Sequence, residues 1–356
     1  MIEFLELYGS HTGEFLAKHV QALLKELDIE QKLFAITGDN AGNNGTLSES
    51  LFNSLRKKYD DRVTPLGRPL MRFHGRPSWI RCLAYITALL CDSVLKDLNS
   101  SSAKEAKKKL DDWDKGHKNR DYTIPDDTGR SSVAKVRLLN LWMLRSSHRE
   151  QDWRSYPKSS NRRPIYDVDT RWNSCLDMIE QFLELEAEYE AFIDSHPHVA
   201  CLKLTNLEVV ALNQLACVLR PFKEHTLQVS RSMPSISKSL EIYWDLEELL
   251  NSVINREGKF SEINQPLRDA FKKGKEKYVK YRSRLERNAM IYAAHTLDPR
   301  CKSSMIQDMM PTEATTVITS VKKYFKEEWP ELAKQSTLVS TTSSSPENRP
   351  VGMSGA

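Results

Sequence analysis

The spacing of apolar residues predicts an α/β fragment at the start of the chain. Over residues 11–28, apolar side chains recur every three or four positions, which is the spacing of one helix face. Residues 32–37 form a short run rich in strand-favouring residues, and 44–58 return to helical spacing. A short strand is predicted around 78–81 and a long apolar helix over 82–98. The order helix, strand, helix, strand, helix is typical of an α/β fold.

Beyond residue 100 the strand signal disappears. Residues 100–129 are charged and poorly hydrophobic, which predicts a lysine-rich helix and a turn at Pro125. Proline inside a helix should kink or split it, as we expect at Pro221. Residues 335–356 are rich in Ser, Thr, Pro and Gly, which predicts a disordered tail. Helical patterns cover 131–154, 171–194, 206–231, 235–255, 262–281, 284–295 and 312–328.

Composition places the chain among intracellular globular proteins. Its 356 residues are 40% apolar and 28% charged, which suits one large or two ordinary domains. No apolar run approaches the roughly 20 residues of a membrane span, and the acidic first residues do not suggest a secretory signal. The six cysteines are scattered without a CxxC pair, which argues against a disulfide framework and a zinc ribbon.

The charge is uneven along the chain. The totals are 52 basic and 48 acidic residues, a net charge of +4. Residues 56–81 carry eight basic and two acidic residues, 268–287 carry nine and three, and 172–194 carry seven acids without a base. The two basic blocks either bind a phosphate backbone or are solvated helix faces, and the sequence leaves both readings open.

Asp39 is the main candidate for chemistry. It ends an apolar strand-like run and is followed by the turn residues Asn40–Asn44. This arrangement places a carboxylate at the C-terminal edge of a sheet, where open α/β sheets bind ligands and metals. The alternative is that Asp39 caps the next helix, with its carboxylate oxygens accepting from the free backbone N–H groups of that helix.

Two further segments, 80–85 and 167–174, follow Asp39 in a particular order, and residues 294–300 add a fourth. Together they resemble the transposases of the hAT superfamily, especially the forms abundant in fungal genomes. The resemblance runs from about residue 1 to about residue 330. It implies a mixed α/β then mainly α fold, in which an incomplete ribonuclease-H-like core precedes a large all-helical insertion domain. The implied domains are a partial catalytic core over 1–95, a helical insertion over 96–334 with a charged linker at 100–130, and the tail at 335–356.

The resemblance also implies a cofactor. Such transposases hold two Mg²⁺ or Mn²⁺ ions with three carboxylates, and the metals promote in-line displacement at phosphorus. Asp39 matches the second of these acids and is therefore the implied catalytic and metal-binding residue. We expect the first acid to precede this chain and the third to follow it, because no family motif surrounds Glu327, Glu328 or Glu331. On this chain alone we therefore expect neither tight metal binding nor strand transfer.

Five residues are implied to contact DNA. Cys82 lies where the family has a Cys-x-x-His motif, although Tyr85 replaces the histidine, and Arg81 precedes it. Arg171 and Trp172 match an Arg-Trp pair whose guanidinium binds phosphate and whose indole stacks on exposed bases. We expect this pair on the same face as Asp39. The alternatives are that Cys82 is a small buried residue and that Trp172 begins the core face of its helix.

The leading hypothesis is a truncated or degenerate hAT-type transposase product that acts in the nucleus on DNA (transposon ends), with no membrane partner. A BED-type zinc finger and a C-terminal oligomerisation segment are not seen in the sequence. The alternatives are a domesticated non-catalytic DNA-binding or protein-interaction module, a helical scaffold, and a fragment of an active metal-dependent transposase whose gene model is clipped.

Overall fold

The computed structural model separates into two compact units, residues 1–82 with 285–356 (the first unit) and residues 83–284 (the second unit). The predicted tail at 335–356 lies outside the described residues. None of the described helices is long and apolar enough to cross a membrane. The structure describes residues 11–60, 62–65, 67–98, 100, 102–116, 123–126, 131–159, 162–168, 171–230, 236–285 and 288–330.

The first unit contains a small parallel sheet. Strand β1 (Ile36–Gly38) pairs with β2 (Trp79–Arg81), so that Ile36 lies opposite Trp79 and Gly38 opposite Arg81. The Cys82 N–H donates to the Gly38 carbonyl at 2.8 Å, which continues the pairing by one bond. The helices of this unit are α1 (Gly13–Glu26), α2 (Gly42–Tyr59), α12 (Ala289–Leu297), α13 (Lys302–Met309) and α14 (Ala314–Glu328).

Helices α1 and α2 pack against each other at very short range. A Cβ atom at Gly13 would lie 2.4 Å from the Asn43 carbonyl oxygen and 2.5 Å from the Leu47 nitrogen. Any side chain at Gly13 would therefore force the two helices apart. Their apolar faces enclose a core of buried side chains, namely Ala17, Leu24, Leu51, Leu55, Tyr59 and Phe73.

The C-terminal part of the first unit packs on residues 71–78. The Phe34 and Trp329 rings lie 6.1 Å apart, and the Arg72 guanidinium lies over both. His74 Nε2 lies 2.6 Å from Oε1 of Glu328, a buried carboxylate on α14. This hydrogen bond raises the pKa of His74 above its usual value.

The second unit is helical throughout its described elements and is built around one central helix. Its helices are α3 (Leu83–Asp97), α4 (Ala103–Gly116), α5 (Ser132–Leu144), α6 (Ser147–Arg154), α7 (Trp172–Glu184), α8 (Glu186–Ser195), α9 (Asn206–Val229), α10 (Ile236–Asn255) and α11 (Gln265–Leu285). Ten of the 13 residues of α5 are buried, as expected of a helix that is apolar on all sides. This helix contacts α4, α6, α7 and α9.

Two buried polar residues of α5, Arg137 and Asn140, bond to the connection that leads to α7. Arg137 donates from Nε and Nη2 to the two carboxylate oxygens of Asp167, each at 2.6 Å. Both side chains of this ion pair are less than a tenth exposed. Asn140 donates its amide to the Ile165 carbonyl at 2.5 Å. Residues 162–168 are thus anchored to α5.

Buried side chains of α6 and α7 complete the anchoring. Gln181 accepts from the Ile165 N–H at 2.7 Å and donates to the Arg163 carbonyl at 3.0 Å, so its amide bonds the main chain as a neighbouring strand would. Trp153 is fully buried and donates its indole N–H to the Arg162 carbonyl at 2.8 Å. Hydrogen bonds from these side chains therefore hold the main chain of residues 162–168 in place.

The predicted fold class, a short α/β piece followed by a mainly helical region, is confirmed. The predicted strand at 32–37 is too long, because residues 30–32 form a 3-10 turn that buries Glu30 against Lys58 and Tyr59. The division into a core at 1–95 and an insertion at 96–334 stays a prediction.

Several helix boundaries differ from those predicted. The pattern at 131–154 is two helices, because the Ser146 side chain accepts from the Arg149 N–H and starts α6. The pattern at 171–194 is also two helices, which meet at Leu185. Helix α9 runs unbroken through Pro221, so the split is not found, and buried Leu219 and Phe222 hold the two halves in one core. Helix α13 was not predicted.

Removing one partner of the Arg137–Asp167 pair should destabilise the protein strongly. We expect Arg137→Leu to lower the free energy of unfolding by about 3–5 kcal/mol, because a buried carboxylate is then left unpaired. Urea unfolding of the full chain measures this. Arg220→Gln, which removes an exposed pair with Glu180, is the matched control and should change it by less than about 1 kcal/mol. Equal effects of the two variants would contradict the assignment.

The His74–Glu328 bond should make stability depend on pH. Because the folded pKa of His74 is raised, its contribution is fully present below its unfolded pKa of about 6.5 and is lost as pH rises through the folded pKa. The effect should be about 1 kcal/mol or less, since the His74 side chain is half exposed. Urea unfolding between pH 6 and 9 should show it in the wild type and not in His74→Gln or Glu328→Gln. A pH dependence that persists in both variants would assign it to other groups.

Candidate nucleic-acid interface

Asp39 lies in the turn between strand β1 and helix α2 of the first unit. Asp39 is exposed and directly follows β1. Its Oδ1 accepts from the Ala41 N–H at 2.9 Å and from the Asn44 side-chain amide at 2.6 Å. These bonds shape the turn into α2, which has no side-chain cap at Ala41. Oδ2 of Asp39 has no hydrogen-bond partner among the described residues and is the oxygen available to a ligand.

Arg81 ends the neighbouring strand. Its Nη1 donates to Asn40 Oδ1 at 2.8 Å, and its guanidinium lies 3.9 Å from the centre of the Trp79 ring. Trp79 is buried, and its indole nitrogen has no hydrogen-bond partner in the described part of the chain. A cation stacked on an indole thus lies at the same sheet edge as the Asp39 carboxylate.

This set of side chains does not fit the two divalent cations that the resemblance implies. Mg²⁺ needs several oxygen ligands, and two such ions need several carboxylates between them. Among the described residues, no group of three His, Cys, Asp or Glu side chains within reach of one ion includes Asp39. The amide of Asn44 already donates to Oδ1. The catalytic and metal-binding role of Asp39 therefore stays a prediction.

Cys82 and Tyr85 follow the strand end in sequence. Cys82 is half-buried, and its backbone extends the β1–β2 pairing. Tyr85 lies on α3 with 36% of its surface exposed. Exposure suits a DNA contact by Tyr85 better than by Cys82, and both roles stay predictions.

Arg171 and Trp172 have opposite exposures. Arg171 is exposed just before α7, and its guanidinium has no ion-pair or hydrogen-bond partner in the described residues. Trp172 is the first residue of α7 and is only 5% exposed. A base stacks on an exposed ring face, and this indole presents almost none. Stacking by Trp172 stays a prediction, as does a shared face with Asp39, since that residue belongs to the other unit.

The position of Arg171 depends on residues that the sequence patterns did not identify. The Ser174 hydroxyl accepts from the Val168 N–H at 2.8 Å and donates to the Arg171 carbonyl at 2.5 Å. The Arg171 N–H donates to the Val168 carbonyl at 2.8 Å. Asp167, next to Val168, is held by Arg137. The sequence does contain one sign of this anchoring, namely the two polar residues Arg137 and Asn140 inside the otherwise apolar pattern of α5.

The basic residues of 56–81 mostly make contacts within the first unit. Lys58 pairs with Glu30, Arg76 with Glu49 at 2.9 Å, and Arg72 lies over aromatic rings. In the second basic block, Lys273, Lys277 and Lys280 of α11 are all exposed, and Lys273 pairs with Asp97. Their spacing of four and three positions places them on one helix face.

Two cysteines of the second unit, Cys91 and Cys175, have buried thiol groups. Burial raises the pKa of Cys175, which lies beside Arg137, to about 12, and burial also raises the pKa of Cys91 well above its usual value. A thiol that stays protonated is a poor nucleophile and a poor metal ligand. These two cysteines therefore belong to the core.

Comparison with known proteins adds three findings. A family model described as "ZBED1 RNase-like domain" matches residues 1–63. A protein of the fungus Talaromyces stipitatus, named "Putative transcriptional regulator tpeD", is 28% identical over 234 residues, which cover 65% of this chain and 26% of that protein. The chain thus spans about a quarter of the length of that relative. No solved structure matches. The first 63 residues are therefore similar to a ribonuclease-like domain of the ZBED1 type.

Proposed function

We propose that this chain is a DNA-binding protein related to the hAT-type transposases, that it acts in the nucleus, and that it does not carry out strand transfer on its own. The match of residues 1–63 to an RNase-like domain supports the relationship. The name of the fungal relative, a transcriptional regulator, favours a domesticated DNA-binding role over transposition.

The observation that carries the DNA-binding proposal is a set of three exposed lysines on one face of α11, namely Lys273, Lys277 and Lys280, which outnumber the exposed Glu276 on that face. Lys273 is exposed and pairs with the partly buried carboxylate of Asp97. An ion pair that solvent reaches contributes little and can be exchanged for a phosphate. Three ammonium groups along two turns of a helix bind a phosphate backbone without reading its sequence.

The strand-end site supports the proposed absence of strand transfer. Two-metal phosphoryl chemistry needs several carboxylates that share the ions, whereas the side chain that bonds to the Asp39 carboxylate is the Asn44 amide. Asp39 matches a family carboxylate only through the resemblance, and the described residues around it do not supply the further carboxylates that the reaction requires.

The affinity for DNA should fall steeply with salt. Binding of the full chain to a labelled 30-base-pair duplex of arbitrary sequence, measured by anisotropy from 50 to 200 mM salt, should weaken with a linear log–log slope. Lys277→Gln/Lys280→Gln should reduce that slope by about one for each phosphate that the variant no longer neutralises.

The matched control is Lys326→Gln, which removes an exposed lysine of α14 outside both basic blocks. It should leave the affinity and the slope within error of the wild type. An affinity that does not change with salt, or an equal weakening in the control and the double variant, would refute phosphate binding by α11.

Tight binding of a divalent metal should not be detected. Titration calorimetry of the full chain with Mg²⁺ and with Mn²⁺ should show no site of micromolar Kd, because one carboxylate supplies too few charged oxygens. Asp39→Asn serves as the reference. A micromolar site in the wild type that Asp39→Asn abolishes would restore the hypothesis of an active metal-dependent transposase.

A further inference from the structure

The 162–168 segment exposes an aromatic ring, and Arg171, five positions after that ring's residue, has a guanidinium without a partner among the described residues. Its burial alternates with a period of three, because Pro164 and Asp167 are buried while the side chains on either side of each are exposed. This is the pattern of a polyproline-like course with one side against the protein. Tyr166 is 48% exposed, and its hydroxyl has no partner among the described residues.

We propose that Tyr166 and Arg171 form a binding platform for an unpaired nucleotide, in which the Tyr166 ring stacks on the base and the Arg171 guanidinium binds the adjacent phosphate. The proposal rests on the proposed DNA-binding function and assigns the stacking contact to a residue that the sequence motifs did not mark. Tyr166 and Val168 are two positions apart, and Arg171 is bonded to Val168. The two exposed side chains therefore belong to residues that are close in sequence and linked through the backbone of Val168.

Rigidity is the first argument for a binding role. The main chain around Tyr166 bonds to Asn140, Gln181 and the Arg137–Asp167 anchor. An aromatic side chain on a stretch that is already ordered loses little conformational entropy when a ligand stacks on it. The buried indole of Trp172 would need α7 to open first.

Charge is the second argument, and it favours nucleic acid over an apolar protein partner. Arg162 and Arg163 precede Tyr166 on the same exposed course. Arg162 pairs with the exposed Glu184 at 2.6 Å, and Arg163 pairs at 3.2 Å with Glu150, whose side chain is mostly buried. The exposed Arg162–Glu184 pair contributes little and can be exchanged for a phosphate, so a strand that stacks on Tyr166 meets Arg162 before it and Arg171 after it along the chain.

The experiment compares single-stranded and duplex DNA with the full chain. The probes are a labelled 20-nucleotide oligo-dT and a 30-base-pair duplex of arbitrary sequence, and anisotropy gives Kd for each. Tyr166→Ala should raise Kd for oligo-dT by about 5- to 100-fold, the effect of removing one base–aromatic stack. The duplex Kd should change by less than about twofold, because paired bases offer no free face.

Tyr166→Phe separates stacking from any other role, because it keeps the ring and removes only the hydroxyl. It should bind oligo-dT within about twofold of the wild type. Leu207→Ala is the matched control for an exposed apolar side chain of the same unit and should have no effect. A weakening in Tyr166→Phe as large as in Tyr166→Ala would overturn stacking.

The remaining outcomes distinguish this inference from the proposed function. If the wild type binds duplex and not oligo-dT, or if Tyr166→Ala weakens both probes equally, the platform is refuted and DNA binding by α11 stands. If neither probe binds, both proposals fail. If Tyr166→Ala binds both probes as the wild type does, the platform is also refuted, and an interface with a protein becomes the better explanation for the exposed Ile165, Tyr166 and Val168.

Discussion

The second unit depends on two charges that have been removed from water. Moving each ion of the Arg137–Asp167 pair into the interior costs several kcal/mol, and only the two-pronged geometry and the added bonds offset that penalty. An apolar pair of the same volume would pack as well. The ion pair also fixes the position of Asp167, because its carboxylate has one favourable place beside the Arg137 guanidinium of α5. The chain between α6 and α7 is therefore held in a single course.

The same region shows how a protein satisfies a main chain that has no strand beside it. Backbone N–H and C=O groups near the interior need partners. In residues 162–168 those partners are the side chains of Trp153, Asn140 and Gln181. These residues lie on three different helices, so the segment and the helix packing stabilise each other.

The sequence predicted the elements better than their connections. Amphipathic spacing located nearly all the helices, and the turn chemistry after residue 38 placed Asp39 at a strand end, because both signals are local. The breaks at Ser146 and Leu185 depend on how the pieces pack. The Arg137–Asp167 pair joins positions 30 apart in sequence, which no periodicity reports. The exposure of Trp172 could not be predicted either, since an aromatic residue at a helix start has the same pattern facing the core or the solvent.

Because residues 162–168 are anchored mainly through main-chain atoms, the surface that they form can accept substitutions during evolution. The side chains that hold the segment bond mainly to carbonyl and N–H groups, which every residue type except proline provides in full. The outward side chains, including those of Arg163, Ile165 and Tyr166, take no part in these bonds. Substitutions there alter what the surface offers to a partner without loosening its attachment. The segment thus resembles a hypervariable loop on a constant framework, in which recognition can diversify while the scaffold stays the same.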